Sequence, residues 1–225
     1  MKLKVYADRM SQPSRAVIIF CKVNGIDYEE IKVHISKGQH LTPEFAEINP
    51  MKQLPAIADG RFKLFESHAI LIYLACAFPG VADQWYPADV FKRSKIHSVL
   101  DWHHSNLPAE AEIILSSSLS KLESFWLKGN GRFLLGGNQP SIADLSLVCE
   151  LTQLEVLDEK DRTRLLGPHK KVQQWIENTR NATNPHFDEV HRVIMLAKER
   201  QQHQRLKAAK NEGGSNMKKP LVSRM

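Results

Sequence analysis

Leu54-Pro55-Ala56-Ile57-Ala58-Asp59-Gly60-Arg61-Phe62-Lys63-Leu64-Phe65-Glu66-Ser67-His68-Ala69-Ile70 decides the fold of the first third of the chain. Asp-Gly between two short apolar runs is a strong hairpin signal. Leu54 to Ala58 and Arg61 to Leu64 therefore read as antiparallel strands. Ser67 to Phe78 follows at once, is apolar on most sides and reads as a buried helix. Upstream, Thr42-Pro43-Glu44 starts a short helix, with Thr42 as cap and Pro43 at the first helical position. Tyr28 to Val33 reads as a strand. Pro13 to Asn24 has the helix pattern Ala16, Val17, Ile18, Ile19, Phe20 and Val23, with Gly25 as a natural stop. Leu3 to Tyr6 is a first strand. The order β-α-β, helix, β-β-α suits a mixed sheet with helices on it.

Downstream the pattern changes. Residues 80–89 lack clean periodicity, follow Pro79, carry Gly80 and Pro87, and read as a linker. Beyond them the chain reads helical over Val90 to Leu107, Ala109 to Lys128, Ile142 to Leu157, Gly167 to Asn181 and Pro185 to Lys210. Ser141-Ile142-Ala143-Asp144, behind Pro140, is a helix start in which Ser141 and Asp144 form a capping box. The expected organisation is an α/β unit over 1–79, a linker over 80–89, an all-α unit over 90–210 and a flexible basic tail over 211–225.

The 225 residues are 42% hydrophobic and 25% charged, enough for a sizeable core. No apolar run approaches the ~20 residues of a membrane span, and the first residues do not read as a secretory leader. Three cysteines, Cys21, Cys76 and Cys149, are too few and too widely spaced for a disulfide scaffold or a thiolate zinc site. They are expected to be inert core residues of a protein in a reducing compartment. The net charge is +6, but residues 198–225 hold eight Lys/Arg against two Asp/Glu and carry all of it. The body is neutral, so no nucleic-acid groove is expected.

The runs Tyr6-Ala7-Asp8-Arg9-Met10-Ser11-Gln12-Pro13-Ser14-Arg15-Ala16, Asn49-Pro50, Gln53-Leu54-Pro55-Ala56-Ile57 and Glu66-Ser67-His68-Ala69-Ile70 resemble the theta class of the cytosolic glutathione transferases. Trp102-His103 and Ser141-Ile142-Ala143-Asp144-Leu145 extend the resemblance, which covers the chain to about residue 207 and points to the plant branch. It implies a thioredoxin-like first domain with a mixed four-stranded sheet and an all-helical second domain bearing the electrophile site. It also implies an enzyme that joins the glutathione thiol to small electrophiles or reduces organic hydroperoxides. Glutathione is then a co-substrate, with no cofactor and no metal, and the protein a homodimer.

By the same resemblance Ser11 is the catalytic residue, and Ser11, Gln12, His40, Leu41, Gln53, Leu54, Glu66 and Ser67 bind glutathione, with Pro55 held in cis. The chemistry is coherent. A thiol ionises near pH ~8.5, so the protein must stabilise the thiolate. Ser11 precedes the helix that Pro13 opens, where a hydroxyl donor and the helix dipole act together. On residue type alone Ser11 is a helix cap and Tyr6 a packed strand residue; the resemblance to other classes of the family makes Tyr6 the rival thiol partner. Ser67 sits at a helix N-terminus that favours an anion, and Glu66 can pair with an amine. A serine there also caps a helix, and His40 in a loop reads equally as a solvated side chain.

Other signals carry less. His103-His104 point ~100° apart on a helix and cannot share a metal; they read as solvated or core histidines. Ser223-Arg224-Met225 resembles a peroxisomal address read by an import receptor, placing the protein in the cytosol, the peroxisome or both; a nuclear role for the basic tail is weaker. From Asn106 through Pro108 into Ala109-Glu110-Ala111 the chain joins two helices abruptly, where the family has a longer stretch that walls the electrophile pocket. A shortened, weakly active form that binds glutathione or other ligands is the competing expectation. A nucleic-acid or membrane-surface binder acting through the tail is a third.

Overall fold

The structure is a computed structural model that describes residues 2–106 and 112–215. The abrupt join and the Ser223-Arg224-Met225 tripeptide lie outside the described residues. Four strands, β1 (Leu3–Ala7), β2 (Tyr28–Lys32), β3 (Ala56–Asp59) and β4 (Phe62–Phe65), form one mixed sheet in the order β2-β1-β3-β4. β1 and β2 are parallel, and β1–β3 and β3–β4 are antiparallel. Along β1, Leu3, Val5 and Ala7 are buried and Lys4 is exposed, as the period-two pattern requires.

The hairpin turn lies one residue later than Asp-Gly predicts. Asp59 pairs with Phe62, leaving Gly60-Arg61 as the two-residue loop. Gly60 has φ 60° and Arg61 is not in the left-handed region, so glycine occupies the first central position, where a type II′ turn needs it. Asp59 instead accepts a hydrogen bond from the Tyr73 hydroxyl at 2.8 Å.

Helix α1 (Gln12–Val23) is buried without a break from Ser14 to Cys21. Its apolar residues point in all directions because it has neighbours all round. Besides the sheet it packs on α3 (Ser67–Ala77), α6 (Ile142–Leu151) and α9 (His186–Ser215). One apolar core therefore runs from the sheet into the helical half, with Phe20 edge-on to Trp85 at 5.3 Å. The short α2 (Pro43–Ala46) starts as read, with Thr42 Oγ1 accepting from the Phe45 amide at 3.3 Å.

The helical half holds α4 (Val90–Asn106), α5 (Glu112–Lys121), which continues as a π-turn over Leu122–Trp126, then α6, α7 (Glu159–Leu166), α8 (Lys170–Thr183) and α9. The helix over α7 was not expected. Its sequence Glu-Lys-Asp-Arg-Thr-Arg-Leu-Leu has no apolar stripe and buries only Leu166. Capping by Asp158 and the Arg162 pairs to Glu155 and Glu159 hold it instead. Helix α9 runs to Ser215, past the break expected at residue 210. Two readings need correction. Helix α3 fully buries only Ile70, Leu71 and Leu74, because one face meets solvent. Cys76 on that face is exposed, unlike the buried Cys21 and Cys149.

Candidate active site

A cavity of about 560 Å³ opens where the two halves meet. Its first-domain side comes from Pro13 at the start of α1, Ile35 and His40 after β2, the segment Lys52-Gln53-Leu54-Pro55 before β3, and Glu66-Ser67-His68 at the start of α3. Its second-domain side comes from His103 and His104 of α4 and Glu150 of α6.

The start of α1 is tied down from several directions. Ser11 is its N-cap (φ −78°, ψ 125°), and its side chain makes no capping hydrogen bond. The cap reading is therefore not realised, and the hydroxyl remains available. The Ser11 amide donates to Asp8 O at 2.9 Å. Asp8 accepts from the Met10 amide and, with its other oxygen, from the Ile35 amide at 2.9 Å, fixing this loop against the one after β2. Arg15, fully buried, donates to the carbonyls of Arg9, Met10 and Cys149 and to Gln153 Oε1, each at 3.0 Å. One buried cation thus clamps the Ser11 loop to α6. Ser11 and Gln12 are not among the cavity-lining residues; Pro13, next in the chain, is. Tyr6 does not line it either, and packs edge-on to Phe45 at 6.2 Å.

Among the described residues three non-glycine residues have positive φ, and two of them line the cavity: Lys52 (φ 56°) and Glu66 (φ 68°). Such backbone costs of order 1–3 kcal/mol and concentrates at functional sites. Asn49, buried, holds the first by donating to Gln53 O at 2.8 Å and accepting from the Met51 amide at 2.9 Å. Glu66 is the N-cap of α3 without a side-chain cap bond, so Ser67 occupies the first helical position. The first-turn amides and the helix dipole then favour an anion there. The Leu54–Pro55 bond is cis. His40 lines the cavity, and its buried Nδ1 has no partner. Leu41, 56% exposed, does not line it. Of the expected glutathione residues, His40, Gln53, Leu54, Glu66 and Ser67 come together.

Asp144 and Ser141 do structural work away from the cavity. Asp144 accepts from the Ser141 amide and hydroxyl, the Leu134 amide and Trp175 Nε1, at 2.8–2.9 Å. Among the described residues no group of three His, Cys, Asp or Glu could hold a metal ion.

Residues 1–76 match the glutathione S-transferase N-terminal domain family. The chain is 64% identical over 224 positions to glutathione S-transferase T1 of Arabidopsis thaliana, covering 88% of this chain and 91% of that one. It is 62% identical over 243 positions to glutathione S-transferase T2 of the same plant, covering 97% of this chain but 41% of that longer protein. The crystal structure of human glutathione transferase theta-2 in complex with glutathione superposes with a TM-score of 0.80 at 31% identity, covering 90% of this chain and 91% of that one.

The chain belongs to the theta-class glutathione S-transferases of plants.

For this transferase the first-domain wall was readable from motifs, and the second-domain wall was not. His103 and His104 belong to the cavity wall rather than to an idle helix face. His68 Nε2 lies 3.2 Å from His103 Nδ1 and 3.0 Å from Ser146 Oγ, and His103 Nε2 lies 3.9 Å from Glu150 Oε2. Burial, helped by neighbouring histidines, pulls His68 down to about 4 and His103 to about 3. Burial also pushes Glu150 up to about 7, against the pull of Arg15. The two imidazoles are thus neutral at pH 7. Lys52 and Asn49 were also missed as site residues. The signal for Asn49 was its place in the Asn49-Pro50 motif; Lys52 has none in the pattern.

Proposed function

We propose that the transferase activates glutathione through Ser11. The Ser11 hydroxyl donates to the sulfur and, with the N-terminal end of α1, holds it as thiolate. The observation that carries this is the Ser11 side chain, which sits at the N-cap yet caps nothing. A shift of two pKa units needs about 2.7 kcal/mol. A hydrogen bond to a charged group supplies about 1.5–3 kcal/mol, and the helix end up to ~2 kcal/mol, so no general base is needed. Glu66, Ser67 and the α3 amides receive the γ-glutamyl end; Gln53 and Leu54 pair with the peptide backbone; His40 serves the glycine end.

The thiolate then attacks small apolar electrophiles, or the oxygen of organic hydroperoxides with a second glutathione resolving the product. Detoxification is the corresponding role. Exposed Met51, Phe62, Val90 and Phe91 support a homodimer. If Met225 ends the protein, Ser223-Arg224-Met225 offers a peroxisomal import signal beside a cytosolic pool.

Turnover of cumene hydroperoxide and of 1-chloro-2,4-dinitrobenzene with glutathione, run beside Ser11→Ala, tests this reading. Activity in the wild type that falls by ~100-fold or more in the variant is expected. Wild-type activity that survives the substitution removes Ser11 from its role. A second reading, a shortened form that binds ligands with little turnover, has its own support. The two alignments run over 224 and 243 positions while containing 88% and 97% of 225 residues, so the relatives carry residues that this chain lacks. Glutathione binding without turnover of either substrate would favour it.

A further inference from the structure

The second-domain wall of the cavity is made of groups that hold protons. Glu150 reaches the cavity with 19% of its side chain exposed, and His103 stands beside it with 13%. Behind them His68 and Ser146 close a triangle with His103 Nδ1, at 3.0, 3.2 and 3.4 Å. Three separate elements, α3, α4 and α6, converge to build this group, and the thiolate chemistry at Ser11 uses none of it.

From this geometry we propose that Glu150 is the proton donor to electrophiles whose leaving atom is oxygen, hydroperoxides and epoxides. The proposal rests on the thiolate reading above. With a hydroperoxide the thiolate sulfur attacks the terminal oxygen. The S–O bond forms, the O–O bond breaks, and its electron pair leaves on the alkoxide. That alkoxide takes the Glu150 proton and departs as the alcohol. Sulfur is oxidised by two electrons to the sulfenic acid and the peroxide is reduced. A second glutathione thiol condenses with the sulfenic acid, giving the disulfide and water. With an epoxide the S–C bond forms, the ring C–O bond breaks and the oxygen takes the same proton. The next glutathione releases one proton as it becomes a thiolate, which restores Glu150, so the cycle balances. Chloride needs no proton, so a chloroarene bypasses Glu150.

The charges around Glu150 suit this use. Arg15 of α1 is the cation whose field reaches it, and it makes its hydrogen bonds elsewhere. His103 and His104 of α4 and His68 of α3 are the other titratable groups on this wall. Asp101 of α4 acts on His68. Cys149, next in the chain, is held as a thiol by burial, up to about 12. Glu150 itself, near 7, is the one carboxyl on this wall raised by burial into the range where a proton is both held and given up.

The test compares leaving groups in one protein. Wild type and Glu150→Gln are assayed with glutathione against cumene hydroperoxide, styrene oxide and 1-chloro-2,4-dinitrobenzene from pH 5.5 to 9. The expected result is a kcat loss for the two oxygen-leaving substrates exceeding that for the chloroarene by ~100-fold. A falling limb near pH 7 is expected in the wild-type hydroperoxide profile, absent from the chloroarene profile and from the variant. Equal losses on all three substrates, or no loss, overturn the assignment while leaving the transferase reading standing. Wild-type turnover of the chloroarene alone also overturns it. Wild type inactive toward all three substrates takes down the thiolate reading first and this proposal with it.

Discussion

Asp144 and Glu150 stand on the same helix, six positions apart, and both are largely buried. Asp144 meets four donors and does not line the active-site cavity. Glu150 faces the cavity, and its neighbour His103 stands 3.9 Å away, beyond good hydrogen-bond distance. Burial raises both carboxyls, but at Asp144 the hydrogen bonds from Leu134, Ser141 and Trp175 all pull the other way. At Glu150 the field of Arg15 is what opposes burial. A carboxylate saturated with donors is a fixed point of the fold. A buried one without them keeps its proton-transfer capacity.

Removing Asp144 is the harshest way to break the comparison. Asp144→Ala leaves the Leu134 and Ser141 amides and Trp175 Nε1 buried without their acceptor. The expected loss is about 3–5 kcal/mol, because each buried donor left unsatisfied costs about 1–3 kcal/mol, read as a lower urea midpoint with an unchanged slope. A loss below ~1 kcal/mol would mean that the four bonds are not the anchor the geometry describes.

Glu150→Gln should do the opposite, and only above acid pH. Folding raises the Glu150 pKa from its ordinary 4.5 to about 7. Between those values the folded state binds more protons than the unfolded one, so wild-type stability falls as pH rises through this window. Glutamine carries no such cost. The variant should match wild type near pH 4.5 and gain about 3 kcal/mol by pH 8. His68 and His103 act with the reverse sign in both proteins. Their pKa values are depressed, so their contribution is present above pH 6.5 and is lost as pH falls towards 4 and 3. They cancel from the difference between the two proteins. Equal denaturation midpoints at pH 8 would mean that Glu150 is not desolvated.

The contrast also marks what the sequence could reveal. Ser141 and Asp144 were legible because a capping box has fixed spacing. The sheet was legible because strand, turn and helix signals agree locally; even the one-residue slip of the hairpin left both strands in place. The first-domain wall of the site came from short contiguous motifs such as Gln53-Leu54-Pro55 and Glu66-Ser67. The second-domain wall did not. His68, His103, Ser146 and Glu150 are 35, 43 and 4 residues apart in turn, and only packing of α3, α4 and α6 brings them together. Arg15 looked like an ordinary helix cation; its four acceptors span residues 9 to 153. Helix α7 was missed because capping and ion pairs, not an apolar stripe, hold it.

Asp158 sharpens the comparison from the weak end. It caps α7 from an exposed position, accepting from the Asp161 amide at 2.9 Å. It has a donor, as Asp144 has, but water can replace that bond when the side chain is removed. Asp158→Ala should therefore cost about 0.5–2 kcal/mol, the usual range for a lost cap. The expected order of losses is Asp144 first and Asp158 second, with Glu150 on the other side of zero above pH 7. Asp158→Ala matching Asp144→Ala would mean that neither burial nor the number of donors sets the cost of losing a carboxylate. A small loss at Asp158 beside a large one at Asp144 would show that burial and donor number together set the cost, whereas the two ends of α6, both largely buried, isolate the part that the donors play.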